Sequence, residues 1–91
     1  MPYIAENFRD EIGNQGLNSL ADYVSSLIDN NAAGALNYII FKIVRTRIEK
    51  KGRNYFFFAW LIGTLICGVF EIYRRLIAPY EDKKITENGD I

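Results

Sequence analysis

Residues 55–70 form a run of sixteen residues without a charged side chain, and this run sets the strictest limit on what the chain can fold into. As a helix the run measures about 24 Å, and it is shorter than the roughly 20 residues that cross a bilayer. It therefore favours the centre of a helical bundle or an oligomer, and a membrane span is the less favoured alternative. The basic residues that flank it on both sides indicate no orientation in a membrane: Lys50, Lys51, Arg53, Arg74 and Arg75.

The remaining composition argues against several classes of site. Cys67 is the only cysteine, so one chain forms no internal disulfide, and the absence of histidine removes the commonest metal ligand and general base. Three early glycines, Gly13, Gly16 and Gly34, are spaced like turn residues and not like a phosphate-binding loop. The sequence therefore predicts a protein that is not an enzyme and has no metal site and no cofactor. A carboxylate site with Mg²⁺ is the one enzymatic alternative.

The charges cancel overall but are unevenly placed. The 91 residues carry 11 basic and 11 acidic side chains, with the basic ones concentrated in residues 42–53 and acidic ones after Pro79. These two runs either attract each other or are both solvated, and no nucleic acid is predicted as a partner. The N-terminal residues lack the pattern of a secretory signal, so a cytoplasmic protein is expected.

Hydrophobic periodicity predicts an all-α single domain over residues 1–91. Two amphipathic helices are expected at residues 17–30 and 35–50, and a third, apolar helix at residues 54–77. Residues 38–44 are rich in β-branched side chains, so a strand competes with the second helix. Gly52 is expected to end the second helix, Asn54 to cap the start of the third helix, and Pro79 to end that third helix. The helical core, residues 17–77, would then lie between an extended or irregular N-terminal arm, residues 1–16, and a polar tail, residues 78–91. A short helical turn at residues 6–11 is expected within the arm. We expect this bundle of about three helices to be oligomeric.

A dense polar cluster begins where the third helix is expected to end. Glu71 and Arg75 are four residues apart and can pair on the helix surface. Arginines beside tyrosines also suit a phosphorylated ligand, because guanidinium binds phosphate with two hydrogen bonds and an aromatic ring stacks on a base. The structural and the ligand-binding interpretations carry equal weight for the cluster as a whole.

Several segments resemble a family of small phage and prokaryotic proteins. They are the start Met-Pro-Tyr-Ile at residues 1–4, Leu-Asn-Tyr at residues 36–38, Arg45, and the long Glu-x-Tyr-Arg-Arg…Pro-Tyr-Glu-Asp-x-Lys…Asn-Gly-Asp pattern at residues 71–90. That family is known as a domain of unknown function, so the resemblance implies no activity. It implies a soluble protein. This chain departs from the pattern at residues 56–70, which are unusually apolar.

The leading hypothesis is a cytoplasmic helical homo-oligomer that binds or sequesters a phosphorylated small molecule, such as a nucleotide immune signal. The ligand class is suggested by analogy with small phage proteins of this size, and the site is predicted from the polar residues of this chain. The alternatives are a structural or protein-interaction module without a ligand, and a short membrane protein that spans the bilayer through residues 55–70. The predicted ligand-binding residues are Asn37, Arg45, Tyr73, Arg74, Arg75, Tyr80, Glu81, Asp82, Lys84, Asn88 and Asp90.

Overall fold

The computed structural model describes residues 3–90, which divide into two compact units between residues 52 and 53. Residues 3–52 belong to the first unit and residues 53–90 to the second. Met1, Pro2 and Ile91, parts of the predicted arm and tail, lie outside the described residues. The described chain is helical and contains no strand, which confirms the all-α prediction and excludes a strand at residues 38–44.

The first unit begins with two short helices joined by a turn at Gly16. Helix α1 spans Glu6–Ile12 and helix α2 spans Asn18–Ser25. Between them Gly16 has φ 118° and ψ −10°, a backbone conformation that other residues rarely adopt. The predicted turn is therefore present, and α1 covers the short helical turn expected at residues 6–11, so the arm is less extended than predicted. The helix predicted at residues 17–30 is interrupted at residues 26–28, where Ile28 is extended with φ −67° and ψ 156°, and residues 29 and 30 begin the next helix.

Helix α3 spans Asp29–Lys51 and contacts α2. It begins six residues earlier than predicted, because the Asn-Asn pair and Gly34 that suggested a turn lie inside its first two turns. A carboxylate in the first turn, here Asp29, is favoured by the positive end of the helix dipole. The predicted stop is confirmed: Gly52 has φ 77° and its N–H donates to the carbonyl of Ile48.

The second unit is one unbroken helical run, Tyr55–Asn88. It consists of α4, Tyr55–Ile72, then a widened π-turn, Tyr73–Ile77, and then α5, Ala78–Asn88. The prediction that Pro79 ends the helix is wrong. Pro79 lies in the first turn of α5, where a missing N–H is tolerated, and the widened turn before it bonds the Ala78 N–H to the carbonyl of Tyr73. Most of the predicted polar tail is therefore helical.

Little apolar surface is buried in the described residues. Phe57, 4% exposed, is their only buried hydrophobic side chain. Two members of the predicted apolar stripe on α3, Leu36 and Ile43, remain exposed. The helices are thus stabilised mainly by their own backbone hydrogen bonds and local contacts, and the molecule presents extensive apolar surface to its surroundings.

Candidate functional site

Helix α4 is the most apolar helix of the described chain. Its start is defined by Asn54, whose side-chain oxygen accepts a hydrogen bond of 2.7 Å from the N–H of Phe57. This N-cap satisfies one of the amides that a helix leaves unpaired at its first turn. The Phe57 ring lies 5.1 Å from the Trp60 ring, close to edge-on, and 5.4 Å from the Phe58 ring. These contacts order the first turns of α4, because aromatic rings in this arrangement attract one another.

The exposed apolar surface surrounds the helix. Tyr55 and Ile62 lie two turns apart and point in similar directions. Tyr55 is 89% exposed and Ile62 is 57% exposed. Gly63 and Gly68 lie on other sides of the helix, and an added Cβ would meet no atom within 4 Å at either position. No side of the helix between these residues bears a charge. The whole circumference is therefore apolar and most of it is exposed, although one side, which includes Phe57, is partly covered. The other large exposed side chains are Phe56, Phe58, Trp60, Leu65, Ile66, Val69, Phe70 and Ile72.

One helix in the described part of the chain, Tyr55–Asn88, is long and apolar enough to cross a membrane by length and composition. Its most apolar window of 18 residues has a mean hydropathy of 1.9, and 6% of that window is buried. The core helix of a soluble protein satisfies the same criteria of length and composition, but such a helix is mostly buried. Within a single chain, the low burial of α4 therefore distinguishes it from the core helix of a soluble protein.

A charge pair lies at the C-terminal end of α4. Arg74 donates to Glu71 through Nη2, at 2.9 Å from Oε1 and 3.2 Å from Oε2, and through Nε, at 3.1 Å from Oε1. The predicted partner was Arg75, four residues along, but the ion pair forms with Arg74, three residues along. Arg75 instead lines a shallow depression together with Glu71, Ile72 and Leu76. Both arginines therefore lie beside the Glu71 carboxylate.

The widened turn brings two predicted ligand residues together. Residues eight apart on a regular α-helix differ by about 80° around the axis, and one extra residue in a turn reduces that offset to about −20°. Tyr73 begins this turn and Glu81 follows it, and the Glu81 carboxylate raises the pKa of the Tyr73 hydroxyl. The turn therefore aligns one face of α5 with the end of α4.

Five predicted ligand residues meet on α5. They line one shallow depression with Ile85 and Gly89: Tyr80, Glu81, Lys84, Asn88 and Asp90. Within it the Lys84 ammonium lies 5.6 Å from the centre of the Tyr80 ring and 3.3 Å from a Glu87 carboxylate oxygen. Asp82, Arg74 and Arg75 do not line it. Asn37 and Arg45 are exposed on α3, in the other unit.

A family profile for a domain of unknown function (DUF6899) matches residues 1–91, the whole of the sequence shown. The chain belongs to this family. No curated protein and no solved structure matches the chain. Membership in this domain family assigns no activity, so a function can be inferred only from the exposed surface of α4 and from the polar groups at its ends.

The continuity of α4 and α5 has a signal in the sequence that the expected stop at Pro79 obscured. Residues 81–88 contain Glu81, Lys84 and Glu87 at intervals of three, a spacing that pairs side chains on a helix surface. The Lys84–Glu87 ion pair of 3.3 Å uses this spacing. The spacing is helical, and it outweighs the single proline that precedes it.

Proposed function

We propose that this member of the family is a membrane-anchored helical protein, with α4, Tyr55–Ile72, lying across a lipid bilayer. The observation that carries the proposal is the low burial of the most apolar window, 6%. Burial of a large apolar side chain contributes about 1.5–3 kcal/mol, and α4 exposes many such side chains. A lipid environment covers all sides of the helix at once, whereas a soluble assembly needs partner helices on every side.

The dimensions of α4 support the same proposal. Its 18 residues span about 27 Å, close to the roughly 30 Å hydrocarbon thickness of a bilayer. Glu71 is the only charged residue within it, and its ion pair with Arg74 offsets that charge at the edge of the span. Tyr55 and Tyr73 bracket the helix, and tyrosine is enriched at both surfaces of a membrane. The run at residues 55–70 is too short to cross a bilayer, and the longer helix α4 reduces that shortfall.

Fractionation of cells that express the full chain without detergent tests this proposal. We expect the protein to sediment with membranes, to resist extraction by alkaline carbonate and to enter solution only with detergent. Flotation with vesicles should confirm that lipid carries it, because aggregates do not float. A discrete, lipid-free oligomer in size-exclusion chromatography with light scattering would refute the anchor.

A second candidate function is the binding or sequestration of a phosphorylated small molecule by a soluble, cytoplasmic homo-oligomer of phage type. The depression on α5 favours it, because five residues that the sequence singled out line that one surface. Two ion pairs oppose it: Arg74 is held by Glu71 and Lys84 by Glu87, so a phosphate would have to displace a carboxylate in each case.

Mass spectrometry of small molecules released from the denatured protein tests the second candidate. A nucleotide that co-purifies with a discrete oligomer, and that is lost when Lys84→Gln and Arg75→Gln are combined, would support it. A discrete oligomer with nothing bound would instead favour a structural or interaction module.

A further inference from the structure

The C-terminal half of α3 carries a concentration of positive charge. Five basic residues lie between residues 42 and 51, with Glu49 as the only acid among them: Lys42, Arg45, Arg47, Lys50 and Lys51. All of these side chains are exposed. Successive residues of a helix are about 100° apart, so these positions cover more than half of its circumference. The end of α3 is therefore a positively charged cap and not a narrow basic stripe.

Stabilisation of the helix dipole explains only part of this cap. Basic residues in the last turn are favoured by the negative end of a helix, and Lys50 and Lys51 occupy that turn. The effect fades beyond the last turn, so it does not account for Lys42 and Arg45, which lie further from the end of α3. An anionic partner that binds the cap would account for all of these basic residues, including those before the last turn.

The basic residues that follow α4 are in a different electrostatic setting. There Arg74 pairs with Glu71 at 2.9 Å, and Lys84 pairs with Glu87 at 3.3 Å. Two further acids, Glu81 and Asp82, adjoin these residues in the sequence. The cap on α3 has one acid for five bases, so the two flanks of the apolar helix differ strongly in net charge.

We propose that the cap on α3 binds the headgroups of anionic lipids. This inference rests on the proposed membrane insertion of α4. Only residues 52–54 separate α3 from α4 in the sequence, and three extended residues reach about 10 Å. An inserted α4 would therefore hold the end of α3 near the membrane surface, where each basic residue contributes about 1 kcal/mol of attraction to anionic lipid, or roughly fivefold in association.

Electron paramagnetic resonance of spin-labelled lipids tests this inference on the full chain. The protein is reconstituted in bilayers of equal phosphatidylcholine and phosphatidylglycerol, and the fraction of each labelled lipid immobilised by the protein is measured. We expect phosphatidylglycerol to be preferred at least about fivefold at 0.1 M salt. The preference should approach one near 1 M salt, because the Debye length falls from about 10 Å to about 3 Å.

Charge variants test which residues cause the preference for phosphatidylglycerol. The double substitution Lys50→Gln and Lys51→Gln should lower it by up to about 25-fold, or to no preference. Lys50→Arg with Lys51→Arg keeps both charges and should retain it. Lys83→Gln removes a lysine from α5 and is the matched single control for Lys51→Gln. Equal losses from these two single variants would show a general effect of net charge and would overturn the assignment to α3.

The arms of the experiment separate the two proposals. Failure of the wild-type chain to float with either lipid would refute the membrane anchor itself. Insertion with equal association of both lipids, unchanged in the double glutamine variant, would overturn the lipid inference while leaving the anchor intact. If millimolar inorganic phosphate at constant ionic strength abolished the preference for phosphatidylglycerol, the cap would be a site for free phosphate. That result would also overturn the lipid inference.

Discussion

The substitution Ile62→Arg places a charge near the middle of α4. Ile62 is 57% exposed, and it lies close to the midpoint of Tyr55–Ile72. Ile43 on α3 is a matched position, because it is also an isoleucine in a long helix and is 65% exposed. The same substitution, Ile43→Arg, therefore introduces the same charge outside the proposed span.

The two substitutions should differ greatly if α4 inserts in a bilayer. At the centre of an inserted helix isoleucine contributes about −0.3 to −0.6 kcal/mol and arginine about +2.5 to +3.5 kcal/mol. The exchange at residue 62 thus costs about 3–4 kcal/mol, which lowers the insertion equilibrium by a few hundredfold. At an exposed position in water a substitution usually changes stability by less than about 0.5 kcal/mol, so Ile43→Arg should be nearly neutral.

Insertion is measured in microsomes with a glycosylation site engineered at each end of the chain. The wild type and Ile43→Arg should receive one glycan, because one end crosses the membrane, and Ile62→Arg should show a large loss of that species. Equal glycosylation patterns for all three chains would refute a membrane role for the exposed surface of α4. If Ile62→Arg instead dissociates a soluble oligomer seen by light scattering, α4 is an assembly surface and not a span.

Three further substitutions test the local structure. Asn54→Ala removes the cap of α4 and should cost about 1 kcal/mol, seen as about fivefold faster hydrogen exchange at the Phe57 amide; an unchanged rate would contradict the cap. Gly34→Ala lies inside α3 with no atom within 4 Å of the added Cβ, so it should stabilise the chain by about 0.5–1 kcal/mol in thermal unfolding followed by circular dichroism. Gly16→Ala should destabilise the chain by about 1–3 kcal/mol in the same measurement, because φ is 118° there; shifts of the same sign for both glycines would refute the assignment of the turn.

Much of the helical structure follows from local rules that can be read in the sequence. The all-α class, the cap at Asn54, the stop at Gly52 and the turn near Gly16 each depend on residues within one or two helical turns. Helix hydrogen bonds connect residues only four apart, so the information that determines them is also local. The apolar character of residues 55–70 and the basic character of residues 42–53 likewise follow directly from the amino-acid types in those segments.

The ends of the helices were less predictable. The Pro79 rule failed because its effect depends on whether the preceding turn can widen, and the Tyr73–Ile77 turn does so. That widening also decides which side chains share a face, and it brings Tyr73 close enough to Glu81, eight residues along, for the carboxylate to raise the pKa of the hydroxyl. Periodicity assumes a constant 3.6 residues per turn, so a sequence pattern cannot carry a phase shift of this kind.

The tertiary structure alone decided which apolar surfaces are covered. The sequence favoured burial of the apolar run at the centre of a bundle or an oligomer, whereas Ile43 on α3 and nearly all of α4 are exposed in the described residues. It also decided that Glu71 pairs with Arg74 and that five polar residues of the predicted site share one depression. Burial depends on contacts between residues far apart in the chain, and these contacts are few in the described residues, so the exposure of α4 did not follow from its hydrophobicity.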